Sequence, residues 1–535
     1  FGFLEQGGNG DSPSSRELYL QSNCDAGELR FWRVKTGTRV DSAAAVRDVE
    51  WFTFSCTLGW PVQGIRPTQF DGATVNAVAR SRHWRKVPVT ASVDVFGRVR
   101  LYNYPALTPG APDKCYRGHS GHVTNVDFSH SDAFCITIGS DDKCVFVWST
   151  DIVEEIRERD ALEINQRAFA TFPDEEGENV NDIYEEKFSA VVAQKEERRK
   201  RSGNLDSKPW KGAIREPPKW EEPEGLGEMC EQSLELKYVY GYRGWDCRNN
   251  LGFASNSAHV AYHVAGVGIV LNTDTNTQIH NIDHSDDILC LDVHPEGHTI
   301  ATGEIGKKPK LILWDASTGN TLRTIMFHHV GIACVSFTGD GKHVVSVGMD
   351  IDRVVAVHNC RTGHATGSGK IGQGVDVYVL SVCDTSIFVT GGKNHVKFWD
   401  ISTNTEGRVE LSSKGGLFSK SAKSTSVISA AYLGQDAITG MTDGSILQWK
   451  GRTNVKIVKA HNAAVTAMCS LPLTSGGANT GFGDSGPRVI TGGKDGHVFI
   501  WNSQLKKVWG FSLAESTPVS FGPQVQAVSF REGIF

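Results

Sequence analysis

The stretches SDDKCVFVW (140–148), MTDGSILQW (441–449) and GKDGHVFIW (493–501) decide how this chain is read. Each begins with a turn built on Asp or Gly and continues as an alternation of apolar and polar residues that ends on tryptophan. A period of two marks a strand with one buried face, and the preceding Asp or Gly supplies a tight hairpin. The pattern recurs in KKPKLILW (307–314), GKNHVKFW (392–399), AGELRFW (26–32) and FGRVRLY (96–102), and in degenerate form in DIDRVVAVH (350–358). From Trp314 through His358, Trp399 and Trp449 to Trp501 the intervals are 44, 41, 50 and 52 residues. One four-stranded blade of a WD-type propeller takes ~40–45 residues. The longest interval contains a Gly/Ser-rich insertion, LPLTSGGANTGFGDSG at 471–486.

The repeat carries structural chemistry. Trp32, Trp148, Trp314, Trp399, Trp449 and Trp501 are expected to pack their rings between neighbouring blades. Asp142, Asp443 and Asp495 each stand six residues before a Trp, in the hairpin turn, where a carboxylate can accept backbone N–H bonds. His119 in GHSGHVTNVDF and His461 in AHNAAVTAM open their blades and are expected to bond the turn Asp and strand hydroxyls.

Composition narrows the function. With 39% hydrophobic and 22% charged residues the 535-residue chain has a globular composition. Runs of the ~18–20 apolar residues that span a bilayer are absent, so no membrane partner is expected. The 12 cysteines form no CxxC or zinc-ligand spacing, and with no Asn-x-Ser/Thr sequon they suit a reducing compartment, cytoplasm or cytoskeleton. The net charge is −6, of which residues 151–237 carry −9. No strongly basic domain exists for nucleic acid.

Residues 151–235 interrupt the repeat. DIVEEIRERDALEINQ and NDIYEEKFSAVVAQKEERRKR read as helical, and KPWKGAIREPPKWEEPEG as an extended Pro-rich segment lying along a neighbouring domain. The expected architecture is all-β: tandem WD-type β-propellers joined by a partly helical acidic linker. Residues 1–150 are the last blades of one propeller, 151–235 the linker and 236–535 a further, near-complete propeller. Three blades before the linker cannot close a ring, so the chain reads as an excerpt of a longer array.

LKYVYGYRGWDCRNNL (236–251), with VAYHVAGVGIVLN, HSDDILCLDVHPEGHTIATGEIGK, GGKNHVKFWDI and KGGLFSKSAK after it, resembles the opening of the first propeller of echinoderm microtubule-associated-protein-like proteins, the HELP-motif WD-repeat family. LYLQSNCDAGELRFW, WFTFSCTLGWPVQGI and YRGHSGHVTNVDFS are similar to the end of that family's second propeller. The order, second propeller before first, resembles long members with tandem units. The resemblance implies a non-enzymatic structural protein without cofactor or metal. It would bind tubulin, microtubules and neighbouring microtubule-associated proteins through propeller rims, including in the ciliary or flagellar axoneme doublet. The other function class is a WD-repeat scaffold for signalling or ubiquitin-pathway complexes.

Two basic loops are candidate contacts: Lys414, Phe418, Lys420 and Lys423 in LSSKGGLFSKSAKSTS (411–426), and Lys307 and Lys308 in GEIGKKPK (303–310). The serines of the first loop are possible phosphorylation sites that would cancel its charge. GSGKIG (367–372) has dinucleotide-loop spacing but is expected in a turn between blades, without the strand–helix context. KEERRKR (195–201) reads as a solvated helix end.

Overall fold

The computed structural model describes residues 2–5, 18–24, 27–47, 49, 51, 53–66, 75–159, 212–218, 220, 227–403, 409–419, 426–471, 486–513 and 523–530. Among them lie nine four-stranded sheets in which the strand order follows the chain, and eight of them are antiparallel meanders. No described helix is long and apolar enough to cross a membrane. Two compact units share the sheets: residues 1–117 with 121–239, and residues 240–535 with 118–120.

The first unit holds three sheets. The third joins Val123–Phe128, Phe134–Gly139 and Val145–Thr150 to Leu234–Tyr240. The LKYVY stretch, expected to open the next propeller at 236, forms the outermost strand of this sheet. The Asp151 carboxylate accepts the Ser233 amide and hydroxyl at 3.0 and 2.8 Å, and the Tyr116 hydroxyl accepts the Leu234 amide at 3.0 Å. These bonds fix the strand beside Val145–Thr150. Residues 152–159 form the described part of the first expected helix, with an Arg159–Glu155 ion pair one turn apart. The second expected helix, including KEERRKR, lies outside the described residues, as do Lys420, Lys423 and the insertion between 472 and 485.

The second unit holds six sheets. Their innermost strands, Leu251–Phe253, Ile288–Val293, Ile332–Phe337, Val377–Val382, Val427–Leu433 and Val465–Leu471, stand side by side in chain order. All six border one central cavity of about 620 Å³. The extended segment 523–530 completes the circuit: the Val525 amide donates to Gly493 O at 3.1 Å, and Gln526 O accepts the Asn249 amide at 3.0 Å. The strands His343–Gly348, Val427–Leu433 and Arg488–Gly493 are buried almost without interruption, so these sheets bury both faces against their neighbours. One such interface joins Val345, Val347, Val355 and Val357 to Phe388 and Trp399 of the following sheet.

The tryptophans need small neighbours. A Cβ on Gly268 would lie 2.8 Å from the Trp314 ring, one on Gly369 2.8 Å from Trp399, and one on Gly416 3.0 Å from Trp449. In each case the glycine belongs to the preceding sheet, or directly follows it, and its missing side chain is the space the indole fills. Gly369 lies inside the GSGKIG motif, whose first four residues are in the strand Ala365–Lys370 rather than in a turn. Outer-strand pairing excludes the expected loop there.

Gly268→Ala is expected to destabilise the second unit by about 1–3 kcal/mol, because the fully buried Trp314 has no free space to move into. Gly415→Ala, where nothing lies within 4 Å of the added methyl, serves as the control and should be near neutral. Urea unfolding of the two variants checks the difference.

Candidate functional site

Five of the six sheets in the second unit are each pinned by one hydroxyl. In the last, the Thr491 hydroxyl receives the Trp501 indole N–H at 2.8 Å and contacts His461 Nε2 at 2.9 Å. His461 Nδ1 in turn meets Asp495 at 3.0 Å, and Asp495 also accepts the Asn462 amide. With Nδ1–H directed at Asp495, Nε2 accepts the threonine proton, and every polar atom of the group has a partner. Trp314, Thr302 and His284 repeat the arrangement at 3.2 and 2.7 Å, but the acid is Glu304, 2.9 Å from His284. In the next sheet Ser346 bonds His328 at 2.9 Å and His358 at 3.0 Å, so His358 takes both the slot and the bond of the missing tryptophan. His328 pairs with Asp350 at 3.2 Å, not with Asp352 in the hairpin slot, which instead pairs with Lys370.

The remaining tryptophans follow the same rule. Trp399 and Trp449 donate to Thr390 and Thr439, both at 2.9 Å. In the first unit Trp148 donates to Thr137 at 3.1 Å and the half-buried Trp32 to Ser22 at 2.9 Å. Asp443 accepts the Ser445 amide at 2.9 Å. Asp142 is buried and accepts the Cys144 amide at 3.4 Å, and His119 is buried as well. His–acid–hydroxyl chains have the composition of a nucleophilic triad, but Thr302 and Thr491 are fully buried and already accept an indole N–H. No substrate atom can reach them.

The central cavity is lined by thiols as well as apolar strands: Cys247, Cys290, Cys334 and Cys469 all border it. Burial pushes Cys247 and Cys334 up to about 12, Cys469 up to about 11 and Cys290 well above its ordinary value. They are therefore neutral thiols rather than nucleophiles at neutral pH. Asp292 beside them is raised to about 6 by burial, against amide bonds from Phe337 and Val293 that favour its charge.

Sequence reasoning missed Arg243. Its side chain is 8% exposed and pairs with both Asp246 and Asp287 at 2.7 Å. Burial would lower its pKa, but the two carboxylates outweigh burial and raise it. Asn250 donates to Arg243 O at 2.9 Å and accepts the Tyr242 hydroxyl at 2.5 Å. The guanidinium thus ties the YRGWDC loop to the loop that opens the next sheet. A lone Arg in a Gly/Trp-rich stretch carries no spacing that reveals a partner 44 residues away.

The candidate contact residues fare differently. Lys307 and Lys308 are exposed on the hairpin between the second and third strands of their sheet. Lys414 is exposed but sits in the outermost strand Val409–Gly415, opposite Phe398, not in a loop. Phe418 packs its ring edge-on against Trp449 at 5.1 Å and stays exposed on its other side. In a meander, second-to-third hairpins and the exits of fourth strands share one rim. Lys307, Lys308, Lys393 and Lys494 all lie on such hairpins and all are exposed. Lys414 lies next to the end of a fourth strand at the same rim. Three acidic side chains of that rim are engaged: Asp350 with His328, Asp495 with His461, Asp352 with Lys370.

Two outcomes are expected. Arg243→Ala should cost about 2–3 kcal/mol in urea unfolding, since it leaves two carboxylates without their cation. The pH response follows from buried histidines: burial lowers His263 to about 3 and His280, His358 and His395 to about 4. A lowered histidine adds stability that is whole above its unfolded value of about 6.5 and shrinks by about 1.4 kcal/mol per pH unit below it. Asp292, raised to about 6, acts oppositely: its contribution is present at low pH and lost as pH rises through about 6. Four histidines outweigh one aspartate, so unfolding free energy measured from about pH 7 to about pH 5 should fall steadily.

The chain matches three family models. Residues 14–150 match the echinoderm microtubule-associated protein second beta-propeller, 230–269 the HELP motif and 277–519 the first beta-propeller of that protein. Echinoderm microtubule-associated protein-like 1 of Rattus norvegicus is 32% identical over 317 residues, covering 56% of this chain and 36% of the relative. Echinoderm microtubule-associated protein-like 2 of Mus musculus is 32% identical over 314 residues, 55% of this chain and 45% of the relative. The 77 kDa echinoderm microtubule-associated protein of Strongylocentrotus purpuratus is 29% identical over 301 residues, 54% of this chain and 41% of the relative. The match thus spans less than half the length of these relatives. With the β-propeller sheets, the HELP segment and both propeller matches in place, the chain belongs to the echinoderm microtubule-associated-protein-like family.

Proposed function

We propose that this chain is part of a structural microtubule-associated protein that binds tubulin and neighbouring proteins through propeller rims. The observation that carries the reading is the rim of the second unit. Exposed Lys307, Lys308, Lys393 and Lys494 are spaced around it on rigid hairpins, while Asp350, Asp352 and Asp495 are held by partners within the protein. Such a rim meets an acidic surface, and that of tubulin is acidic. Each lysine contributes little by itself at physiological ionic strength. Several on one rigid body act together, and further propellers on the same chain multiply the effect. The names of the relatives support microtubules as the partner. The order of second-propeller and first-propeller matches suits repeated units laid along a filament, and the ciliary or flagellar axoneme doublet is the place where such an array would serve.

Co-sedimentation with stabilised microtubules tests this. The wild-type chain is expected in the pellet at low salt, with the bound fraction falling as salt rises. Charge reversal of Lys307, Lys308, Lys393 and Lys494 together should lower apparent affinity at least tenfold with no loss of thermal stability. Recovery of the wild-type chain in the supernatant alone would overturn the microtubule reading. Undiminished pelleting of the reversed variant would overturn the rim.

A further inference from the structure

The first unit contains a groove that the propeller architecture does not use. Its wall is aromatic: Trp51 stacks on Phe31 at 6.0 Å, and Trp84 meets Tyr104 edge-on at 5.9 Å. The Arg80 guanidinium lies over Trp84 at 4.2 Å and over Tyr104 at 5.0 Å, and donates to Tyr104 Oη at 3.1 Å and to Trp51 O. Trp60 closes one end.

A stretch of this chain lies in the groove. Residues 212–218 and 220, part of the segment that joins the strands of the third sheet, cross it without entering any sheet. Ala213 and Ile214 pack on the cluster of Tyr19, Leu29, Phe31 and Val46. A turn from Pro217 O to the Trp220 amide, 3.2 Å, then brings the Trp220 ring edge-on to Trp60 at 4.6 Å. The fit is incomplete. Ile214, Pro217 and Trp220 are only half-buried, and a cavity of about 210 Å³ remains between them and the wall. No carboxylate is among the described residues that line it, whereas Arg47 and Arg80 are. The segment itself reads EPPKWEEPE at 216–224, with four glutamates, three prolines and one tryptophan.

Aromatic grooves recognise proline-rich peptides because such peptides are extended before they bind and lose little entropy on docking. The exposed Arg47 at its edge adds preference for acidic neighbours. We propose that this groove is a docking site for an acidic, proline-containing, tryptophan-bearing peptide of a partner protein. The chain's own 212–220 segment is a latch of the same chemistry that holds the groove until the partner displaces it. A tethered segment competes at high effective concentration, so the latch need bind only weakly. This proposal is independent of the microtubule reading, since it rests on the first unit alone.

The test uses the full chain and a fluorescent peptide of residues 214–224, read by polarisation. The wild type should bind it weakly. Pro217→Ala with Trp220→Ala, which loosens the latch, should bind at least tenfold tighter. Adding Arg47→Glu or Trp60→Ala to that variant should remove the gain. Arg47 is exposed, so its replacement keeps the test valid if the Trp60 variant misfolds. Hydrogen exchange at 212–220 of the wild type should quicken when the peptide is in excess. A loosened latch that binds no tighter than wild type, a gain that survives Arg47→Glu, or unchanged exchange would each overturn the proposal. So would a concentration-dependent dimer of the wild type that requires Trp220, because the groove would then serve exchange between copies.

Discussion

The hydrogen bond from a buried indole N–H to a strand hydroxyl is the constraint around which the sheets are organised. An indole placed between two sheets removes a large apolar surface from water but carries one donor that must be satisfied. Thr or Ser on the adjacent strand supplies the acceptor in six of the described sheets. That hydroxyl has a proton of its own, and in two of these sheets a histidine from the start of the blade accepts it and passes its other N–H to an acid in or beside the hairpin turn. One contact between neighbouring strands thereby fixes the strand register, the entering loop and the turn. Glycine on the preceding side leaves room for the ring, so the same residue also sets the spacing between sheets.

This economy explains which parts of the fold were legible. Trp slots repeat at blade length and end an alternating run, so the fold class could be read from residue order. Turn acids were read less well. Glu304 and Asp350 perform the task at positions outside the expected slot, because a histidine ring can be reached from more than one point on a tight turn. The glycines facing Trp314, Trp399 and Trp449 were invisible, since their reason lies in another sheet. Leu234–Tyr240 was read as the start of a propeller because its residues suit any strand; the hydrogen bonds that Ser233 and Leu234 donate to Asp151 and Tyr116, distant in sequence, fix it beside Val145–Thr150.

Sites on the surface were the least legible. A lysine-rich stretch looks the same in a loop and on an outer strand, and only pairing with Phe398 places Lys414 in the latter. Phe418 is exposed, and its ring contact to Trp449 was not legible because Trp449 belongs to the following blade. The rim as a surface exists only once the meanders align hairpins from separate blades, so Lys393 and Lys494 gained meaning from topology rather than from their local sequence. The HELP segment gives a related lesson. Its match at 230–269 begins just before the strand Leu234–Tyr240 of the first unit and continues through the Arg243 loop into the first sheet of the second, so a single motif serves two folded bodies.

Lysine-specific cross-linking of the chain on assembled microtubules, read by mass spectrometry, addresses the central functional claim most directly. The rim assignment predicts cross-links to tubulin from Lys307, Lys308, Lys393 and Lys494. Cross-links confined to Lys342, Lys450 and Lys506, exposed on hairpins of the opposite rim, would contradict it.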